Sequence, residues 1–221
     1  MPIFAFTLRG NALMLDFYFS PGSCALASHI LLEEIGAKYQ SHRIDFSQNE
    51  QQGEAYLKLN PKGRVPALST QHGTLTETPA ILVYLAETHD RGDLIFKADP
   101  YRFARMQSFN NYLCATVHVA HAHKGRGHRW ASESGAIKAM QAHVPTSMSL
   151  CFEYLENEGV TGPFVMGETY SVADPYLYTI CRWAPADGVD ISKLPKIKAH
   201  MEIMAKREST LRALSAEGLQ P

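Results

Sequence analysis

A Pro-Gly turn between an apolar run and a helical pattern constrains this chain more than any other feature. The run Leu15-Asp16-Phe17-Tyr18-Phe19 precedes Ser20-Pro21-Gly22-Ser23-Cys24, and apolar residues then recur with helical spacing over residues 26–35. This order predicts a buried strand, a turn, and a helix with Ser23 and Cys24 in its first turn. The free N–H groups of a helix start favour a thiolate over a thiol. We therefore expect Cys24 to be a reactive or thiol-binding cysteine, with a small buried structural cysteine as the alternative.

The composition is that of an ordinary globular protein. Of the 221 residues, 45% are hydrophobic and 19% charged, and the formal net charge is −1. This charge gives no reason to expect a nucleic-acid partner, and there is no apolar run of membrane-spanning length, so we expect no membrane partner either. The four cysteines are scattered and form no CxxC pair. They favour free thiols in a reducing compartment, and we expect a cytoplasmic protein.

The first half of the chain predicts a small mixed α/β domain. Residues 1–13 lack the features of a signal peptide and Met14 can serve as a start, so we treat residues 1–13 as an N-terminal extension. Residues 14–90 form the predicted domain. Its elements are a strand over 15–19, a helix over 24–36, a strand over 40–45, a loop with a short helix over 47–59, a strand after Val65-Pro66, a hairpin at His72-Gly73 and a helix from Glu77-Thr78.

The second half predicts helices only. Residues 91–100 are polar and rich in turn residues, and we expect them to be the linker. Residues 101–221 form the predicted helical domain, with helices over 101–123, 132–158, 171–184 and 193–207. Ser171 and Asp174 have the spacing of a capping box at the start of the third of these helices.

The order of domains and five short strings resemble the soluble glutathione transferases over about residues 14–219. The strings are Ser-Pro-Gly-Ser-Cys-Ala-Leu-Ala-Ser-His, Asn-Pro-Lys-Gly-Arg-Val-Pro-Ala-Leu, Leu-Thr-Glu-Thr-Pro-Ala-Ile, Ser-Val-Ala-Asp-Pro-Tyr-Leu and Leu-Ser-Ala-Glu-Gly-Leu. Each string alone is weak, but five in the family order are strong. The resemblance implies a thioredoxin-like N-terminal domain followed by an all-α C-terminal domain. The Pro-Gly-Ser-Cys form is most similar to the bacterial beta class.

The resemblance implies that glutathione binds on the first domain. The backbone of Val65 would pair with the tripeptide, and a cis bond before Pro66 would aim its polar groups outward. The Thr78 hydroxyl and the free N–H groups at its helix start would bind the γ-glutamyl carboxylate, and Glu77 the ammonium. Thr78 as a simple N-cap is the alternative. Phe19, Asn49, Arg64 and Asn111 complete the predicted glutathione-binding set.

The catalytic set implied by the resemblance is Cys24, Ser23 and His118. Asn111 and His118 are seven residues apart, so a regular helix puts them on one face. His118 would hydrogen-bond the thiol or act as a weak base, whereas a packed helix histidine is the alternative.

Several positions depart from the beta-class pattern. Phe19 stands where a tyrosine is common, and the lysine that holds the glycyl carboxylate is missing from Ser47-Gln48-Asn49. Gln48, Asn49 or Lys62 would have to replace it. Thr116 and Val119 replace a glutamate and a lysine near His118.

The predicted function is conjugation of glutathione to a hydrophobic electrophile held between the domains by Phe109, Tyr112 and Trp183. Disulfide reduction, peroxide reduction, isomerisation and dehalogenation stay open as related reactions. A non-catalytic binding or scaffold protein is the alternative of a different class. The resemblance also implies a homodimer.

A group of histidines raises a metal site as a further alternative. His118, His121, His123 and His128 lie close in sequence, but no carboxylate or cysteine completes a tight ligand set. We therefore expect no metal. The neighbouring Lys124, Arg126 and Arg129 form a basic patch that would either attract anionic glutathione or be a solvated loop.

Overall fold

A four-stranded mixed sheet forms the centre of the first domain in the computed structural model, which describes residues 14–221. The predicted extension over residues 1–13 lies outside the described residues. The strands are β1 (Leu15–Phe19), β2 (Tyr39–Arg43), β3 (Ala67–Thr70) and β4 (Gly73–Thr76), in the order β2-β1-β3-β4. β1 and β2 run parallel, whereas β3 is antiparallel to β1 and β4.

Three helices accompany the sheet: α1 (Ala25–Glu34), α2 (Glu54–Leu59) and α3 (Thr78–Thr88). Residues 25–32 of α1 are all buried, and a helix that is covered on every side belongs in the interior. α1 packs against two helices of the second domain, Ala173–Cys181 and Glu208–Glu217, as well as against α3. It ends before Gly36, whose positive φ of 64° suits a residue without a Cβ. The turn before α1 is therefore held between the two domains.

The second domain is helical. Its helices are α4 (Pro100–Tyr112), α5 (His118–Arg126), α6 (Ser134–Tyr154), α7 (Ala173–Cys181), α8 (Pro195–Ala205) and α9 (Glu208–Glu217). The predicted helices over 132–158, 171–184 and 193–207 correspond to α6, α7 and α8 with shorter ends. α9 lies beyond the last predicted helix, and the sequence analysis missed it.

The predicted helix over 101–123 is interrupted by a π-helical segment, Leu113–Val117, between α4 and α5. A π segment has i→i+5 hydrogen bonds and therefore an extra residue in its turn. Residues before and after it no longer follow one regular helical spacing. This changes which side chains of α4 and α5 point in the same direction.

The start of α7 has the predicted capping box. The Asp174 carboxylate accepts from the backbone N–H of Ser171 at 2.7 Å and from its hydroxyl at 3.0 Å. The same carboxylate accepts from the Val165 N–H at 2.8 Å and contacts His200 Nε2 at 3.1 Å. Asp174 is fully buried, so these bonds fix where α7 begins.

The predicted fold class is confirmed: a thioredoxin-like domain precedes an all-helical domain. We propose residues 91–100 as the linker. It contains a 3₁₀ turn, Gly92–Ile95, and its Leu94 carbonyl accepts from the Val172 N–H at 3.0 Å. Across residues 14–221, none of the helices combines the length and the apolar character needed to cross a membrane.

Candidate active site

A cavity of about 740 Å³ lies between the two domains. The first domain contributes the turn after β1, the loop before β3 and the start of α3. The second contributes the π segment, α5, the turn after it, and α7. A cleft of this size between domains is typical of a small-molecule site.

Cys24 lies at the inner end of this cavity, immediately before α1. Its thiol donates to the Val65 carbonyl at 3.4 Å. The side chain is 8% exposed. Burial raises the pKa of the Cys24 thiol to about 11, and a hydrogen bond with Thr78 and the charge of Arg126 oppose this by smaller amounts.

Burial thus opposes the thiolate that the sequence favours at Cys24. The Thr78 side chain, the charge of Arg126 and a backbone hydrogen bond lower the pKa of this thiol, but the loss of hydration around a buried sulfur raises it by more. Cys24 is a protonated thiol near neutral pH and can serve as a hydrogen-bond donor.

The Val65-Pro66 peptide bond is cis, as predicted, and both residues line the cavity. Thr78 is the first residue of α3, followed by Pro79, and is almost fully buried at the cavity wall. The first N–H groups of a helix have no partner within the helix. The start of α3 thus presents polar donors to the cavity close to the sulfur of Cys24.

Glu77 precedes α3 in an unusual backbone conformation, with φ of 72°. A residue with a side chain is strained there, and such residues often serve a site. The Glu77 carboxylate accepts from Lys62 Nζ at 2.5 Å, and the same ammonium donates to Thr76 Oγ1 at 2.6 Å. Lys62, which the sequence analysis considered for a carboxylate, is thus bound to a carboxylate of the protein itself.

His118 faces the cavity from the second domain, at the start of α5. Burial lowers the pKa of the His118 imidazole to about 3, and Arg126, His121, Arg129 and Arg64 add to this. The ring is neutral near pH 7 and can accept or donate one hydrogen bond through either nitrogen.

Trp183 connects the two domains at the cavity wall. Its indole Nε1 donates to the Gly22 carbonyl at 2.9 Å, and its ring stacks on His121 at 4.3 Å between centroids. His121 in turn contacts Asp187 Oδ2 at 2.6 Å. The second domain thus holds the turn that precedes Cys24.

Most of the predicted site residues line this one cavity: Ser23, Cys24, Asn49, Arg64, Val65, Pro66, Glu77, Thr78, His118 and Trp183. Ser23 lies beside Cys24, and its hydroxyl accepts from the Ala25 N–H at 3.3 Å.

Four predicted residues do not line it. Phe19 points into the core, where it packs against Phe17 and His29. Phe109 is buried, and its ring lies close to Gly159 rather than in the cavity. Tyr112 packs against Tyr154. Asn111 is exposed outside the cavity. The expectation that Asn111 shares a face with His118 assumed a regular helix, and the π segment between them breaks that spacing.

Sequence analysis missed other residues of the cavity. Cys114 lies within the π segment, and Tyr176 is near the start of α7. Trp130 lines the cavity and is 47% exposed. Tyr176 stands in the Ser-Val-Ala-Asp-Pro-Tyr string, two residues after the capping aspartate, which was the available signal. The residues at 14–221 contain no group of three or more metal-ligating side chains that could hold an ion.

Comparisons with known proteins agree with this geometry. Residues 15–87 match the family model for the glutathione S-transferase N-terminal domain, and residues 129–208 match that for the C-terminal domain. Glutathione S-transferase GstA of Escherichia coli O157:H7 is 31% identical, over 93% of this chain and 100% of its own.

Solved structures are similar along almost their whole length. A glutathione transferase homolog from Sulfitobacter, with bound glutathione, has a TM-score of 0.89 and 43% identity, covering 93% of this chain and 99% of that one. A beta-class glutathione S-transferase of Sphingomonas chungbukensis has a TM-score of 0.79 and 33% identity, covering 92% and 99%.

The chain therefore belongs to the glutathione transferase family. The interpretation as an enzyme of this class is confirmed, as is the resemblance to the bacterial beta class.

Proposed function

We propose that this enzyme binds glutathione along the first-domain wall of the cavity and catalyses bond formation between its sulfur and an electrophile at the second-domain wall. One observation carries the proposal: Cys24, Val65 and Thr78 converge on one end of the cavity, with the thiol bonded to the Val65 carbonyl at 3.4 Å. The backbone groups of Val65, the start of α3 at Thr78 and the position of the Cys24 thiol thus lie at one end of the cavity.

Each part of the tripeptide has a matching group on this wall. The N–H groups at the start of α3 and the Thr78 hydroxyl suit the γ-glutamyl carboxylate. Glu77 suits the ammonium, in competition with Lys62. The backbone of Val65 suits the cysteinyl peptide groups. Arg64 and Asn49, which also line the cavity, supply positive charge and an amide for the glycyl carboxylate.

The groups around the sulfur position favour conjugation. The Ser23 hydroxyl is a hydrogen-bond donor for a glutathione thiolate, whose proton leaves to solvent. The protonated Cys24 thiol becomes a second donor when its S–H turns from the Val65 carbonyl toward the glutathione sulfur. His118 stays neutral and is a weak base, so we assign it a positioning role beside the sulfur. The thiolate then attacks the electrophile, and the leaving group departs with its bonding electrons.

Disulfide reduction through Cys24 is the second candidate function. It requires the Cys24 thiolate to attack a disulfide, and the raised pKa of this thiol opposes that. Conjugation needs no such thiolate and is therefore our first choice. A Cys24→Ala variant separates the two, since conjugation should persist and disulfide exchange should stop.

The binding part of the proposal is tested by calorimetric titration with reduced glutathione. Thr78→Val should weaken binding about tenfold, since it removes a hydrogen bond to a charged group. Thr88→Val is the matched control, because Thr88 lies at the other end of the same helix, where its hydroxyl bonds to the last-turn carbonyls and contacts His89, away from the cavity. Equal affinity in the wild type and the Thr78 variant would contradict this binding mode.

We further propose a cytoplasmic homodimer. All four cysteines are free thiols, which suits a reducing compartment. Leu150 and Tyr154 are 60% and 48% exposed and lie one turn apart on α6, a pattern suited to a subunit contact. Sedimentation equilibrium tests the dimer, and a monomer at micromolar concentration would contradict it.

A further inference from the structure

Positive charge is concentrated in the cavity. Four cationic residues, Lys62, Arg64, Arg126 and Arg129, line it, whereas Glu77 is the one acidic residue along its walls in the described part of the chain. The Glu77 carboxylate already forms an ion pair with Lys62. The three arginine side chains form no ion pair and no side-chain hydrogen bond within residues 14–221. The cavity therefore has uncompensated positive charge, which attracts anions.

The three arginines line the same cavity as His118, and their charges act on one another and on its ring. Burial comes first among the causes that lower the pKa of Arg129, and the charges of Arg64 and Arg126 add to it. Arg126, Arg129 and Arg64 all lower the pKa of His118. Three guanidinium groups thus act on one small region of the cavity. A ligand with a negative charge would relieve their mutual repulsion.

In the proposed binding mode, glutathione does not contact all of these cationic groups. In the proposed binding mode, the start of α3 takes one carboxylate and Arg64 takes the other. Arg126 ends α5, and Arg129 lies in the following 3₁₀ turn, Gly127–Arg129. Both belong to the second-domain wall, where the electrophile binds in that mode. Their charges are thus available to the second substrate.

The same wall offers aromatic surface. The chain has two tryptophans, and both line the cavity. Trp183 is fixed by its bond to Gly22. Trp130 directly follows Arg129 and is 47% exposed, and its ring makes an edge contact with His123 at 4.6 Å between centroids. An exposed indole and guanidinium groups that line the same cavity suit a flat ring that carries a carboxylate.

We propose that the second substrate is an aromatic electrophile bearing a carboxylate, and that Arg126 and Arg129 bind this carboxylate while Trp130 contacts the ring. The inference rests on the proposed conjugation reaction for its catalytic meaning. The specificity residues it names are separate from the glutathione-binding residues.

Two chlorodinitro compounds test the inference. Chlorodinitrobenzoate has its carboxylate para to the chlorine, and chlorodinitrobenzamide has a neutral amide there. In both, the glutathione sulfur bonds to the ring carbon that holds chlorine, chloride leaves with the bonding pair, and the thiol proton goes to solvent. The two reactions differ in the charge at the far end of the ring.

Arg126→Gln and Arg129→Gln should each lower kcat/KM for the benzoate about tenfold and leave the benzamide within about twofold, as expected for a lost charged hydrogen bond. Arg126→Lys should retain part of the benzoate activity. Arg105→Gln is the matched control, since Arg105 is exposed on α4 outside the cavity. It makes the same change in net charge and should affect neither substrate.

Equal losses on both substrates would overturn the inference, because they would show that the arginines act on glutathione or its sulfur. No loss on either would overturn it as well. Calorimetry with dinitrobenzoate, which has no leaving group, measures the anion site without turnover. An enzyme that turned over neither chloro compound but bound dinitrobenzoate through Arg126 would contradict the proposed conjugation and retain the anion site. Binding unaffected by Arg126→Gln would remove that site.

Discussion

The Trp183 indole donates a hydrogen bond to the Gly22 carbonyl at 2.9 Å, and through it the helical domain holds the turn before Cys24. Gly22 is bound on its other side too, since its N–H donates to Glu217 Oε2 at 2.8 Å. Its own φ of 70° suits glycine. The position of the turn before Cys24 thus depends on Glu217 of α9 and on Trp183 in the segment after α7.

Trp183→Phe tests this dependence. Phenylalanine keeps an aromatic ring beside His121 and removes the N–H donor. The loss of about 1 kcal/mol from one hydrogen bond should raise the Kd for glutathione roughly fivefold. Calorimetric titration measures it, and an unchanged Kd would show that the bond does not position the turn.

Glu217→Ala should destabilise the fold strongly. The Glu217 carboxylate is fully buried and contacts His29 Nδ1 at 2.9 Å as well as the Gly22 N–H. Its removal leaves buried polar groups without a partner, and we expect a loss of about 3 kcal/mol in the free energy of unfolding. Urea titration measures this. Glu208→Ala is the control on the same helix, since that side chain is 91% exposed and should change stability little.

His118 should make the fold less stable in acid. The unfolded imidazole binds a proton near pH 6.5 and the folded one only near pH 3, so acidification favours the unfolded chain. Between pH 7.5 and pH 5 this amounts to about 2 kcal/mol. The free energies of unfolding of the wild type and His118→Asn are measured by urea titration at both pH values. The difference between the two proteins should change by this amount from one pH to the other. A constant difference would mean that His118 titrates normally in the fold.

Cys24 should react slowly with thiol reagents. A pKa near 11 in place of 9 leaves about a hundredfold less thiolate at pH 8. In a Cys114→Ser background, which removes the other thiol of the cavity, the alkylation rate with iodoacetamide should keep rising above pH 9. Cys24→Ser identifies the signal. A rate that levels off below pH 8 would contradict the assignment of Cys24 as a protonated donor.

The sequence was enough to predict the architecture. The apolar run at 15–19, the Pro-Gly turn and the spacing over 26–35 specify a strand, turn and helix through local rules. The capping box of Ser171 and Asp174 is equally local, and its bonds form as expected. The positions of Val65 and Thr78 follow from the strand and helix that begin there.

The chemistry at the sulfur was not predictable in the same way. The protonation of Cys24 depends on burial, which raises the pKa of its thiol by more than Thr78 and Arg126 lower it, and these groups come from both domains. The face that Asn111 presents relative to His118 depends on the π segment between them, Leu113–Val117. No pattern in the sequence marks the extra residue in that turn. Regular helical spacing therefore placed Asn111 on the same face as His118, which the structure does not show.

Asp174 helps to fix the positions of cavity residues on α7 and just after it. Four donors and contacts fix its carboxylate in the interior, and Tyr176 follows on the same helical turn at the cavity wall. Trp183 comes shortly after the helix ends. Asp174 does not line the cavity, yet it sets where the helix begins and therefore where the Tyr176 and Trp183 side chains lie. Sequence changes near the capping box would therefore alter the shape of the substrate cleft even when every residue lining it is preserved.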